Sequence, residues 1–167
     1  MKEKIFRKYL EIKSLEGFRE VKKPIEDYSV DLVTPNDFQL NKFFYKNIGK
    51  NCHWTDRLAW TNETWIKHAS NKRLLTYVLK NKEEIAGYFE LILHQNIKEI
   101  EIAYFGILDE YFGKRLGGYL LSEAIKLSFS KASLRVWVHT CSLDHENALK
   151  NYLARGMKIF KSEELII

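Results

Sequence analysis

The 167-residue sequence contains little cysteine, proline or glycine, with two, two and eight of them respectively. Cys52 and Cys141 lie far apart and neither belongs to a CxxC pair, which excludes a disulfide framework and a zinc site of the paired-cysteine type. The scarcity of proline and glycine, together with the absence of internal repeats, excludes collagen-like and low-complexity proteins. We therefore predict one folded domain over residues 1–167, with no metal.

Long hydrophobic runs are missing as well. No apolar stretch approaches the roughly 20 residues that a membrane helix needs, and residues 1–7 lack the apolar segment and cleavage site of a secretory signal. Hydrophobic residues nevertheless make up 46% of the chain and aromatic residues 14%, which is too much for a disordered protein. These features predict a soluble cytoplasmic protein with no membrane partner.

Positive charge is only modestly in excess, with 27 Lys and Arg against 22 Asp and Glu and a net charge of +5. The basic residues are spread along the chain, whereas nucleic-acid binding requires a concentrated basic face. We therefore expect no nucleic-acid partner. The excess is compatible with a small anionic ligand.

The first half of the chain predicts one strand and two helices. Residues 9–12 predict an edge strand. Thr34 predicts a helix cap because its hydroxyl can accept from free amides, with Pro35 at the first helical position and Asp37 at the positive end of the helix. Residues 61–69 predict a second helix for the same capping reason.

The second half predicts a sheet with helical crossovers. The predicted strands are 74–79, 85–93, 99–107, 133–139 and one that begins at 157, and the predicted helices are 116–130 and 144–155. We predict Asp144 as the cap of the last helix and Gly156 as its stop. The order strand, helix, strand, helix, strand indicates an α/β fold with a right-handed crossover.

The strand over 99–107 has a chemically informative alternation. Strict alternation places successive side chains on opposite faces. One face then carries Glu99, Glu101, Ala103 and Phe105, and the other carries Ile100, Ile102, Tyr104 and Gly106. Two carboxylates beside apolar neighbours are candidates for acid–base chemistry.

A glycine-containing turn follows this strand and opens the next helix. Gly113, Lys114, Arg115, Gly117 and Gly118 combine unpaired amides, the positive helix end and two cations, which suits a phosphate or pyrophosphate. The P-loop pattern GxxxxGK[ST] and the dinucleotide pattern GxGxxG are both absent. A tight structural turn without a ligand is the alternative.

The full order of strand, basic glycine turn, amphipathic helix, strand and a helix ending in Tyr152-Leu-Ala-Arg-Gly-Met resembles the GNAT acetyltransferase superfamily. The resemblance implies a central mixed, mostly antiparallel sheet flanked by helices, with acetyl-CoA in a V-shaped cleft between two central strands. It also implies an N-acetyltransferase that uses acetyl-CoA as co-substrate and moves the acetyl group to a primary amine. The rival hypothesis is a non-catalytic acyl-CoA-binding or regulatory module of the same fold.

The family's pyrophosphate loop is written [Q/R]-x-x-G-x-[G/A]. Phe112 stands at the Q/R position, Arg115 at the first glycine and Gly117 at the last, so two signature positions depart from the pattern. The residues that the resemblance implies for CoA binding are Ile107, Leu108, Phe112, Gly113, Lys114, Arg115, Leu116, Gly117, Gly118 and Asn147.

The resemblance also implies catalytic roles. Tyr152 would protonate the departing thiolate, and a packed tyrosine of an amphipathic helix is the alternative. Glu101 would take a proton from the amine, with Glu99 as the second candidate and an ordinary strand-face or salt-bridged glutamate as the alternative.

Three residues are expected at the acceptor, namely Trp54, Arg57 and His139. Trp54 and Arg57 lie in an aromatic stretch between the first two helices, where the family builds its acceptor pocket. His139 ends a strand beside the cleft, and a Cys141–His139 nucleophile pair is less favoured because no Asn or Asp orients it. The acceptor is a small-molecule or peptide amine whose identity stays open, and the protein is a monomer or homodimer.

Overall fold

The computed structural model describes residues 2–24 and 27–166. Its strands are β1 (Lys4–Ile12), β2 (Tyr28–Leu32), β3 (Leu74–Asn81), β4 (Glu84–His94), β5 (Glu99–Ile107), β6 (Arg135–Cys141) and β7 (Lys158–Ile166). Its helices are α1 (Phe38–Cys52), α2 (Asn62–Ala69), α3 (Leu116–Phe129) and α4 (Asn147–Ala154).

The strands form one sheet in the order β2-β3-β4-β5-β6-β1-β7. The pairing of β5 with β6 is parallel and the others are antiparallel, so the predicted mixed, mostly antiparallel sheet is confirmed. Leu120 and Ile125 of α3 lie in the core on one face, and Phe44 and Ile48 of α1 pack with Val78 on the other. Both faces of the central strands are therefore covered by helices.

The predicted edge position of the first strand is wrong. β1 pairs with β6 on one side and with β7 on the other. β7 occupies the edge, because the last strand continues from Lys158 to Ile166 and adds to β1. Pairing between the two ends of the chain leaves no local mark in the sequence.

Two of the predicted helix starts are corrected. α1 begins at Phe38, because the carboxylate of Asp37 accepts from the amide of Gln39 at 3.0 Å and displaces Thr34 as cap. α4 begins at Asn147. The Oδ2 atom of Asp144 instead accepts from the amide of Cys141 at 3.0 Å, so Asp144 fixes the turn after β6 rather than the helix. The predicted start of α2 is confirmed, with Thr61 as its cap.

A β-bulge at Ala103 corrects the predicted faces of β5. Glu90 of β4 pairs with Tyr104, but its neighbour Leu91 pairs with Ile102, so Ala103 is an extra residue. A bulge of this kind inverts the alternation beyond it. Phe105 accordingly packs on the α3 side with Ile102. Tyr104 instead shares the α1 side of the sheet with Glu101.

β5 and β6 stay paired over three residues only, from Glu99 with Arg135 to Glu101 with Trp137. Beyond these pairs the two strands continue separately, β5 to Ile107 and β6 to Cys141. A V-shaped opening therefore lies in the middle of the sheet.

No helix within the described ranges is long and apolar enough to cross a membrane.

Candidate active site

A cleft of about 1040 Å³ occupies the V between β5 and β6. The far half of β5 forms one wall, and the end of β6 with the start of α4 forms the other. The turn before α3 lies at its mouth and the segment between α1 and α2 lines the side that faces α1. The cleft brings together predicted site residues that are up to about a hundred positions apart: Trp54, Arg57, Glu101, Ile107, Phe112, Gly113, Arg115, Leu116, Gly117, Gly118, His139, Asn147 and Tyr152.

The wall formed by β5 has backbone amide and carbonyl groups that hydrogen-bond to no strand among the described residues. The amide of Leu108 donates to the carbonyl of Ala86 at 2.8 Å. Alternation along an antiparallel pair then directs the backbone groups of Gly106 and Tyr104 to β4 and those of Phe105 and Ile107 away from it. Because β6 has diverged at this point, the groups of Phe105 and Ile107 face the cleft. They can hydrogen-bond an extended, polar ligand.

The turn at the mouth of the cleft has two residues with left-handed backbone. Gly113 has a φ of 78° and Arg115, which stands where the family pattern has glycine, has a φ of 60°. In the part of the chain that the structure describes, the amides of 113–115 have no hydrogen-bond acceptor, and the first amides of α3 have none within the helix. The side-chain amide of Asn151 on α4 donates to the carbonyl of Gly117 at 3.0 Å and so fixes the backbone at the start of α3. Unpaired amides at a helix N-terminus are a favourable environment for an anion.

Two residues predicted for CoA binding lie away from the lining of the cleft. Leu108 is buried in the core beside Phe44. The ammonium of Lys114 lies 5.8 Å from the ring centroid of Tyr111, on the outer side of the turn. Arg115 is exposed and lines the cleft, so of the two cations in the turn it is Arg115 that faces the cleft.

Tyr152 is buried in the β6–α4 wall, where its ring contacts Phe105 of β5 edge to face. Its hydroxyl makes no hydrogen bond with any residue in the described ranges. Burial, followed by the charge of Asp144, raises the pKa of Tyr152 well above its ordinary value. The phenol therefore keeps its proton at neutral pH, as a general acid requires.

The two candidate carboxylates of β5 have different surroundings. Glu101 lines the cleft at the closed end of the V, and its Oε1 lies 3.1 Å from Nε2 of His94. The ring of His94 stacks on Trp137 with 5.9 Å between centroids. Glu99 instead forms an ion pair with Arg135 and does not line the cleft. Of the two, Glu101 has the position of a base.

Arg57 lines the cleft, but its charge is already paired. One guanidinium nitrogen lies 3.0 Å from a carboxylate oxygen of Glu90 on β4, and Glu90 is fully buried. Glu90 also accepts from Asn41 at 3.0 Å and contacts Nε2 of His68 at 2.9 Å. The guanidinium carbon lies 4.2 Å from the ring centroid of Tyr104. These contacts fix the segment between α1 and α2 to the sheet.

Burial favours the neutral acid of Glu90, but the hydrogen bond from His68 and the charge of Arg57 outweigh it and lower the pKa of the carboxyl. Glu90 is therefore ionised, and it neutralises Arg57. We did not foresee Glu90, His68 or Asn41 from the sequence. The available signal was one acidic residue within the apolar run of β4, which marks a buried charge that needs a partner.

His139 of β6 and Trp54 of the α1–α2 segment both line the cleft. The ring of Trp54 meets Tyr104 edge to face at 4.7 Å. Although His139 is exposed along one side, enclosure by the cleft wall and the charge of Arg7 lower its pKa, so it is neutral at pH 7. Burial raises the pKa of Cys52, so the thiol at the end of α1 is not ionised either. Among the described residues, no cluster of His, Cys, Asp and Glu could hold a metal ion.

Comparisons with known proteins agree with this geometry. The model of the family described as "Acetyltransferase (GNAT) family" matches residues 38–157. A search of curated proteins gave no match. Among solved structures, a GCN5-related N-acetyltransferase from Sphaerobacter thermophilus matches 97% of this chain and 50% of its own length, with a TM-score of 0.72 and 15% identity.

Two further solved structures match at similar identity. A GCN5-related N-acetyltransferase from Kribbella flavida has a TM-score of 0.66 and 12% identity, covering 96% of this chain and 56% of its own. An aminoglycoside acetyltransferase from an uncultured soil metagenomic sample has a TM-score of 0.65 and 14% identity, covering 77% and 87%. At these identities the likeness shows the fold. The chain spans 50%, 62% and 56% of the first three structures matched.

Proposed function

Because the chain belongs to the GNAT acetyltransferase family, we propose that it transfers the acetyl group of acetyl-CoA directly to a primary amine. The observation that carries the proposal is the placement of two groups in one cleft. Tyr152, a phenol that keeps its proton, and Glu101, a carboxylate, both line the V beside unpaired backbone groups of β5. A proton donor and a proton acceptor around one reaction centre are what direct amine acylation needs.

The residues of the cleft fit acetyl-CoA, which supplies a thioester as the acyl donor. The free amides of 113–118 and the guanidinium of Arg115 suit a pyrophosphate, and Gly117 adds no side chain that would obstruct its approach. The backbone groups of Phe105 and Ile107 suit the amide-containing arm of the molecule. Phe112 and His145, whose rings are 5.4 Å apart, border the mouth of the cleft.

Three groups of this chain take part in the proposed reaction. Glu101 accepts a proton from the attacking amine, directly or through water. The amide of Ile107 donates to the carbonyl oxygen as negative charge develops there, which is the largest kind of contribution an enzyme makes to acyl transfer. Tyr152 donates its proton to the leaving sulfur. The rest of the rate enhancement comes from holding the reactants together.

The direct test is release of thiol from acetyl-CoA in the presence of a panel of small amines and peptides. Acceptor-dependent release, with a matching gain of 42 Da on the amine, would establish transfer. If the protein binds acetyl-CoA but releases no thiol with any acceptor, the non-catalytic acyl-CoA-binding module is the correct function.

Glu101→Gln is expected to lower kcat by about 10²-fold, because an amide cannot accept the proton of the amine. Glu99→Gln is the matched control on the same strand, and it breaks an ion pair with Arg135 without touching the cleft. Initial rates across a pH series provide the measurement. If the two variants lose activity equally, Glu101 is not the base.

Arg115→Ala is expected to weaken CoA binding by about tenfold, since a charge-assisted hydrogen bond to the pyrophosphate is lost. The loss should shrink at high salt. Arg115→Gly removes the same charge and also the strain of a side chain at a φ of 60°, so both variants should bind equally weakly while the glycine variant unfolds at the higher temperature. Calorimetric titration with CoA and thermal unfolding test both effects. Wild-type affinity in either variant would remove Arg115 from the site.

A further inference from the structure

The acceptor end of the cleft has an unusual balance of charge. By the acceptor end we mean the part of the cleft lined by Glu3, Arg7, Trp54, Asp56, Arg57, Ile92, Glu101, Tyr104 and His139. It contains three carboxylates and two guanidinium groups. What a ligand experiences depends on which of these charges are already paired within the protein.

Both guanidinium groups are paired with carboxylates outside the lining. Arg57 lies 3.0 Å from the fully buried Glu90, and Arg7 lies 3.5 Å from Glu163, which Lys161 also approaches at 3.6 Å. Nor does His139 add a positive charge, because its pKa is lowered. Among the described residues, both cations of the acceptor end are thus already in contact with a carboxylate of the protein, Arg57 fully and Arg7 through a shared partner.

The carboxylates are not neutralised in the same way. Asp56 is exposed, and its one hydrogen bond with a described residue comes from the neutral hydroxyl of Tyr104 at a long 3.4 Å. Glu3 has no ion pair with any residue of the described segments. Glu101 contacts the imidazole of His94. At least two negative charges thus remain available to a cationic ligand.

Aromatic rings complete this surface. Trp54 and Tyr104 line the same end of the cleft, 4.7 Å apart and edge to face. Aromatic faces attract ammonium groups and aliphatic chains alike. Tyr104 already demonstrates this affinity, since it holds the guanidinium of Arg57 at 4.2 Å.

We propose that the acceptor is an amine with a second ammonium group and no carboxylate, that is, a diamine or polyamine. This inference rests on the proposed acetyl transfer. The reacting nitrogen lies at Glu101, the carbon chain lies along Trp54 and Tyr104, and the second ammonium binds Asp56. A free amino acid is disfavoured because its carboxylate would meet Asp56 and Glu101, while both guanidinium groups of this end already contact carboxylates of the protein.

Three amines that share the same five-carbon chain test the proposal. 1,5-Diaminopentane differs from 1-aminopentane by one ammonium group and from L-lysine by one carboxylate. Measured by thiol release from acetyl-CoA, kcat/KM for the diamine should exceed that for the monoamine by about tenfold, the usual value of one well-placed charged contact. Lysine should be the poorest. Equal or better turnover of aminopentane or lysine would overturn the proposal.

Asp56→Asn locates the second ammonium. The variant should bring the diamine-to-monoamine ratio of kcat/KM close to one, because the carboxylate that distinguishes the two amines is gone. Asp31→Asn, an exposed substitution on β2 outside the cleft, is the matched control and should keep the ratio. A ratio does not depend on the amount of folded enzyme. An unchanged ratio in Asp56→Asn would show that Asp56 is not the contact.

Calorimetric titration of the same amines into the protein separates this inference from the proposed function. If no amine is acetylated but diaminopentane binds more tightly than lysine and aminopentane, the site is correct and acetyl transfer is not. If acetylation occurs without preference for the diamine, the acetyltransferase stands and the substrate class is wrong.

Discussion

Tyr152→Phe is expected to lower kcat by about 10²- to 10⁴-fold, the usual contribution of a general acid. The substitution keeps the ring that packs on Phe105 and removes the hydroxyl that we propose donates to the leaving sulfur. Because the hydroxyl has no hydrogen-bond partner among the described residues, stability should change by less than about 1 kcal/mol. Acetyl-CoA affinity should stay within about twofold, since the hydroxyl acts mainly in the transition state.

Single-turnover kinetics and calorimetric titration measure these two effects separately. Tyr119→Phe is the matched control, because Tyr119 is also a buried tyrosine but lies on α3 outside the cleft. Parent and Tyr119→Phe should have equal kcat. Full turnover in Tyr152→Phe would mean that the proton comes from another source, such as water.

Glu90→Leu should lower the free energy of unfolding by about 3–5 kcal/mol, because it leaves the buried Arg57 without a counter-charge. The variant also removes the acceptor of Asn41 and His68. Chemical denaturation monitored by tryptophan fluorescence measures the loss. Adding Arg57→Met to Glu90→Leu removes the unpaired charge and should restore most of the stability. A double variant as unstable as the single one would show that packing, not charge, causes the effect.

The difference in unfolding free energy between the parent and Glu90→Leu should also depend on pH. The pKa of Glu90 in the folded protein lies below its ordinary value of 4.5. The stabilisation by its carboxylate is therefore complete above about pH 4.5 and is lost as the pH falls through the folded pKa. The gap between the parent and Glu90→Leu should narrow on acidification. A constant gap at low pH would contradict the ionised state assigned to Glu90.

Features set by neighbouring residues could be predicted from the sequence. The bounds of β5 at Glu99–Ile107 and the start of α3 at Leu116 agree with the structure, because apolar periodicity and adjacent glycines determine them locally. Tyr152 and Arg115 lie on the cleft for a similar reason. They belong to motifs with fixed spacing, so the strand order was not needed to place them.

Features that depend on distant pairs could not be predicted. The edge position of β7 follows from its pairing with β1, and the neutralisation of Arg57 follows from an ion pair with Glu90, 33 positions away. Neither partner is marked by composition or spacing. Asp144 misled for a related reason, since a carboxylate after a strand can cap the following turn as well as the following helix.

The bulge at Ala103 affects the proposed recognition of both the acyl donor and the amine acceptor. Beyond the bulge, the backbone groups of Phe105 and Ile107 lie on the edge of β5 that faces away from β4, and the side chain of Tyr104 lies on the face that we assign to the amine. Without the bulge, strict alternation of the same sequence would place Phe105 instead of Tyr104 on the face that carries Glu101. The bulge therefore determines which aromatic ring of β5 lines the acceptor end of the cleft and which one contacts Tyr152.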